Sequence, residues 1–206
     1  MIRLPLGASP TDKHTPILVS KNLRRKSRIT VLFGERNHDL GIFAYRVIGS
    51  ESINQGSAVD FVTAINQAPG PNDTRGMIIA NPGQLLWYRG EGRAITYSEW
   101  MSLPRKSAVH DAPEMDPNKC SIPGNRDYEE HVRYIFEHVM RQLVSENATF
   151  ELIGLEATGY AMISYLAENC EFITKPYSEK LLANNSRERM VLSHRRHMPR
   201  KSTAQH

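Results

Sequence analysis

The chain has 206 residues, 40% of them apolar and 23% charged, with a net charge of +4. That length supports one domain with a sizeable core, and no apolar run approaches the ~20 residues of a membrane-spanning helix. Cys120 and Cys170 stand far apart without paired spacing, which argues against a disulfide scaffold or zinc ribbon and for a reduced compartment, nucleus or cytoplasm.

Residues 1 to 27 contain Pro5, Pro10 and Pro16 and no apolar period, so they are read as a flexible arm. Arg28 to Gly34 is a β-branched, apolar run of the kind buried in parallel sheets. Ile42 to Gly49 reads equally as strand or short helix. Ser57 then has cap chemistry, and Ala58, Phe61, Val62 and Ile65 repeat at helical spacing. Pro69-Gly70-Pro71 ends that helix, and Gly76 to Asn81 is a further short strand. Strand, helix, strand is a crossover unit. Leu85 to Arg89 and Ala94 to Tyr97 flank a glycine-containing turn, a predicted hairpin, and Ser98-Glu99-Trp100 starts a helical turn. Prolines 104, 113, 117 and 123 punctuate the long excursion that follows. Asp127, with Glu130 three residues on, caps a helix whose apolar face is Tyr128, Val132, Ile135, Phe136, Val139 and Leu143.

Phe150 to Gly154 is an apolar run that stops at glycine; Glu156 and Gly159 follow, then a helix to about Glu168. That is strand, tight turn, helix. In α/β-hydrolases such a turn reads G-x-S-x-G and lifts a serine above the sheet edge. Here Glu156 stands two residues after Gly154 and the turn is one residue longer, a degenerate elbow formed by Gly154, Glu156 and Gly159. Downstream there is no Asp, and the histidines are His194, His197 and His206 in a basic tail, so the nucleophile–acid–histidine order of a hydrolase triad is missing. Glu156 is expected to accept hydrogen bonds from the N–H groups opening its helix, where negative charge is favoured. His38-Asp39 occupies the loop where a hydrolase keeps its oxyanion donors. The spacing of His110, His131 and His138 matches no zinc pattern, so no metal and no cofactor is expected.

After Ile173 the core pattern ends. Residues 175 to 206 carry eight Lys/Arg against two Glu, a net of +6, which leaves −2 for the rest. They are read as a poorly ordered basic tail with no complete strand–helix unit. Arg24, Arg25 and Lys26 near the start, with Arg195 and Arg196 in the tail, are the candidate nucleic-acid contacts.

Several of these pieces together resemble one family. They are Val31 to Glu35 with His38-Asp39-Leu40-Gly41; Asn81-Pro82-Gly83-Gln84 with Leu86-Trp87; Ser107 to His110; and Pro123-Gly124-Asn125 leading into Glu130-His131-Val132-Arg133. Across residues 28 to 173 the chain resembles the Arb-two domain, found in a fission-yeast Argonaute chaperone complex and at the C-terminus of fungal class II histone deacetylases. The resemblance implies a mainly parallel α/β sheet with flanking helices, a truncated α/β-hydrolase-like three-layer sandwich, over residues 28–174. It implies a non-catalytic binding or scaffolding role in heterochromatin or gene silencing, with protein partners of a histone deacetylase or Argonaute-type complex. The resembling stretch covers no deacetylase domain, so deacetylation is not expected to carry over. Two rival expectations stand beside it: an enzyme using a carboxylate at the elbow, and a nucleic-acid-associated protein acting through its basic ends.

Overall fold

The computed structural model describes residues 1–67, 74–105, 107, 109–110 and 114–169, and the backbone of two further strands within 180–192. In chain order these residues form β1 (Ile2–Leu4), β2 (Thr15–Val19), a 3-10 turn (Leu23–Arg25), β3 (Arg28–Phe33), α1 (Tyr45–Ser50), α2 (Ile53–Gly56), α3 (Ala58–Gln67) and β4 (Arg75–Ala80). Then come β5 (Leu86–Tyr88), β6 (Arg93–Ile95), α4 (Tyr97–Met101), α5 (Pro117–Cys120) and α6 (Tyr128–Tyr134). The last group is a π segment (Ile135–Met140), α7 (Arg141–Leu143), β7 (Thr149–Leu155), α8 (Glu156–Glu168), β8 (Lys180–Asn185) and β9 (Glu188–Leu192).

The fold is mixed α/β. Its sheet runs β1-β2-β4-β3-β7-β8-β9. The centre is parallel: β3 pairs with β4 on one side and β7 on the other, and β8 adds parallel to β7. Both flanks are antiparallel. Side chains alternate across the pleat, which assigns them to two cores. Ile29, Val31 and Phe33 join Phe150, Leu152, the α6–π residues Val132, Ile135, Phe136 and Val139, and Met162, Tyr165 and Leu166 of α8. Leu32, Met77 and Ile79 on the other face meet Ala58, Phe61, Val62 and Ile65 of α3. Helices therefore cover both faces of the central strands.

The expected crossover is present, since β3, α3 and β4 make a parallel pair joined by a helix. The ambiguous segment at 42–49 holds helix α1. The hairpin is β5–β6, with Trp87 stacked over Ala94 and Ile122 in a small satellite core. Trp100 packs with Ile95 and Cys120, so these two tryptophans serve packing. Asp127 caps α6 as expected: its carboxylate accepts from Glu130 N at 2.8 Å.

Two expectations need correction. The arm at 1–27 contains β1 and β2, and Leu4 and Ile17 are fully buried. Its strands are too short for a visible period. Pro16 stands opposite Arg3 in the β1 ladder but outside the β4 ladder, which takes only Leu18 and Val19, so it interrupts pairing on at most one side. The tail at 175–206 likewise contributes β8 and β9, built on the apolar scraps Leu181-Leu182 and Met190-Val191-Leu192. The sheet therefore continues past β7, where the sequence pattern stops. Pro69-Gly70-Pro71, Pro113, Cys170, Arg195, Arg196 and the C-terminal histidines lie outside the described residues. Among the described residues no helix is long and apolar enough to cross a membrane.

Candidate functional site

Parallel strands β3, β4 and β7 all end on one edge of the sheet, the place where open α/β sheets hold ligands. Three loops leave that edge. One carries His38-Asp39, one Asn81-Pro82-Gly83, and one is the turn from β7 into α8.

That turn has the geometry of a tight strand-to-helix elbow. Glu156 sits at φ 48, in the left-handed region that residues with a side chain seldom adopt. The two glycines let the helix approach the strand. A Cβ on Gly154 would lie 2.4 Å from Gly159 Cα, and one on Gly159 would lie 2.9 Å from Gly154 O. Thr158, fully buried, fastens the elbow to its neighbour strand: its hydroxyl lies 2.8 Å from Gly34 O and 2.6 Å from Leu155 O. Thr158 was not singled out by the sequence, because nothing local marks a threonine whose acceptor is over a hundred residues away.

Glu156 itself is exposed. Its carboxylate makes no hydrogen bond among the described residues, so the expected contact with the helix-opening N–H groups is not formed. Each described histidine has other company. His14 lies against Trp87, His110 Nδ1 against the Ser107 hydroxyl, and His138 against Tyr134. His38 Nδ1 stands 2.9 Å from Glu35 Oε2, an ion-pair distance without hydrogen-bond alignment. Among the described residues no group of His, Cys, Asp and Glu is arranged to hold a metal.

The residues of the family-like motifs converge instead on a polar chain that is buried at His131, Asn81 and Asn125 and reaches the surface at Tyr45. His131, fully buried on α6, accepts from Asn81 N at Nε2 (3.0 Å). Its Nδ1 then carries the proton and donates to Asn125 Oδ1 at 2.7 Å. Burial drives the imidazole pKa down from 6.5 to about 3, so it is neutral in the fold. Asn81 Nδ2 donates to Pro16 O at 3.0 Å and to Gln84 Oε1 at 2.9 Å. Gln84 Nε2 donates to Asp39 Oδ1 at 2.7 Å, and the Tyr45 hydroxyl donates to Asp39 Oδ2. Burial first, then the hydrogen bond to Asp39, raises the Tyr45 phenol pKa above its ordinary value. Asn125, His131, Asn81, Gln84, Asp39 and Tyr45 are thus one connected path, from the Pro-Gly-Asn loop to the rim of α1.

Gly83 explains why the Asn-Pro-Gly turn has a glycine. A Cβ there would fall 1.9 Å from His38 O, so the two loops touch backbone to backbone. Gly83→Ala is expected to separate them and cost about 2 kcal/mol, within the usual range for overpacking. Amide exchange at residues 36–40 should rise in that variant; unchanged protection there would contradict the contact.

Beside the loops lies a polar cleft of about 750 Å³ walled by His38, Asp39, Tyr45, Gln84, Arg93 and Glu99, among others. Arg93 and Glu99 are paired in its wall, and hydrogen bonds to Glu99 and Glu91 hold the guanidinium further above its ordinary pKa. Glu156 is not part of this wall.

Of the residues singled out in sequence, His38, Asp39, Asn81, Pro82, Gly83, Pro123, Gly124 and Asn125 belong to the loops and chain just described. The elbow residues share their sheet edge but not the cleft. Arg24, Arg25 and Lys26 lie at the opposite edge. A family model for the Arb2 domain matches residues 1–193. No curated protein and no solved structure matches the chain.

Proposed function

The chain belongs to the Arb2 domain family, and from that premise we propose that it is a non-catalytic binding or scaffolding module of gene-silencing assemblies. The scaffold is read as hydrolase-like, with the elbow kept as architecture. The observation that carries this is the elbow's own residue: an exposed glutamate in the left-handed position, with every described histidine engaged elsewhere. A carboxylate there needs desolvation and a proton partner to act as a nucleophile or base, and Glu156 is given neither among the described residues.

The binding surface of this reading is the cleft at His38, Asp39, Tyr45 and Gln84. The hydrogen-bonded path from His131 holds these side chains before any partner arrives, which lowers the ordering cost of association. Partners are protein subunits of a histone deacetylase or Argonaute-type complex, with the chain acting in the nucleus, the cytoplasm or both.

The direct test is hydrolysis of short-chain nitrophenyl esters by the purified chain. We expect turnover equal to the buffer background in both wild type and Glu156→Gln. Hydrolysis by the wild type that vanishes in Glu156→Gln would make the protein an enzyme and end the proposal.

A further inference from the structure

The first basic run of the sequence forms a built surface at the edge where the parallel strands begin. Lys21, Arg24 and Arg25 are exposed around the 3-10 turn, with Lys26 half-buried beside them. Arg28 and Arg75 follow as register partners on adjacent strands, so their Cα atoms are about 5 Å apart. From Lys21 to Arg28 there are five cations and no acid. Glu151, which also accepts from Thr30, is paired with Arg28 at 3.5 Å. Lys21, Arg25 and Lys26 have no ion-pair partner among the described residues.

The turn is held rigidly. Leu23 is buried beneath it, Thr74 Oγ1 donates to Arg25 O at 3.1 Å, and the Arg24 guanidinium donates to Gln142 O at 2.8 and 3.2 Å. Arg24 therefore also serves as a cap on the carbonyl end of α7. The stem of Lys26 lies against Gly76, where an added Cβ would be 3.0 Å from Lys26 Cγ, so its ammonium is carried outward.

The last described strand turns back toward the same edge. β9 runs opposite to the parallel strands, and Leu192 is level with Leu181, Leu152 and Val31, three residues above Arg28. Arg195, Arg196, Arg200 and Lys201 follow β9 in the sequence and lie outside the described residues. Residues 1–174 carry a net of −2, so the five cations from Lys21 to Arg28 stand against the charge of the body around them.

We propose that this edge binds the phosphate backbone of a nucleic-acid duplex without reading its sequence. Clustered Arg and Lys suit phosphate, which binds by releasing counterions. Among the described residues the exposed large apolar ones are Met1, Leu18, Tyr45, Ile53, Val59, Tyr97, Met101, Val109 and Tyr160. None belongs to the turn or to the strand starts, so the described edge offers no aromatic face on which an unpaired base could stack. The contacts are to backbone, and backbone contacts position without specifying. This inference depends on neither the cleft nor the elbow.

The test is fluorescence anisotropy of a labelled duplex of about 20 base pairs with the full chain, from about 50 to 200 mM salt. Combining Lys21→Glu, Arg25→Glu and Lys26→Glu should weaken binding at least about tenfold and lower the salt slope by about 3. Arg89→Glu, in the β5–β6 turn, should change neither. Thermal unfolding checks that the triple variant folds; if it does not, Lys21→Gln with Arg25→Gln replaces it, with a slope loss of about 2. An unchanged Kd and slope in the folded edge variant overturns the proposal. So does single-stranded probe binding more tightly than duplex, or polyglutamate displacing the duplex as well as unlabelled duplex does, which would mark an acidic protein as the partner.

Discussion

Gly154→Ala is expected to lower the stability of the domain by about 3 kcal/mol, the upper part of the range for overpacking. The new Cβ would stand 2.4 Å from Gly159 Cα and 3.3 Å from Met162 Cε. The methionine end can move; the glycine backbone belongs to the first turn of α8 and cannot yield without lifting the helix. Met162, Tyr165 and Leu166 would leave the central core with it. For a chain of this size each kcal/mol shifts the midpoint by about 2–4 °C, so thermal unfolding should show a fall near 10 °C. Gly159→Ala should cost less, because its contact is longer and alanine gains about 1 kcal/mol of helix propensity. A loss under about 1 kcal/mol in Gly154→Ala would mean that the strand and helix are not as close as described.

The second large effect concerns His131. Truncation to alanine leaves Asn81 N–H and Asn125 Oδ1 without their partner and opens a cavity, at a cost of about 3–5 kcal/mol. His131→Gln separates packing from protonation, since an amide can accept and donate in the same places at any pH. The folded imidazole is depressed from 6.5 to about 3 by burial, while the unfolded chain takes up a proton below about 6.5. The unfolded state therefore binds more protons between these values, and stability must fall as pH falls. The stabilisation is whole above pH 6.5 and is lost progressively toward pH 3, by up to about 1.4 kcal/mol per pH unit. Denaturant titrations at pH 7, 5.5 and 4.5 should show the wild type losing more than His131→Gln across that window. Parallel losses would mean that the ring is protonated inside the fold.

Much of the central fold was legible because local patterns carry it. The strand at 28–33, the α3 face at Ala58, Phe61, Val62 and Ile65, and the Asp127 cap follow from spacing and cap chemistry. The flanking strands were not legible. β1 has three residues and β9 five, too few to show a period beside prolines or arginines. The site was legible only as separate motifs. Asn81 and His131 are 50 residues apart and Gln84 and Asp39 are 45, so no spacing rule relates them. His131 was visible in sequence as a motif residue and as one histidine among several, but not as a buried one; its burial decides its role. At the elbow the glycines and the absent nucleophile were readable, whereas the exposure of Glu156 was not.

Strand β3 gives the two proposed surfaces a fixed relation. It starts at Arg28, on the cationic side, and its far end leads within five residues to His38. Six extended residues make a strut about 17–20 Å long, paired along its whole length with β4 and β7. Cargo held at one end could not crowd cargo at the other, and neither could swing. A molecule built this way would act as a bracket, keeping a protein and a nucleic acid at a set separation.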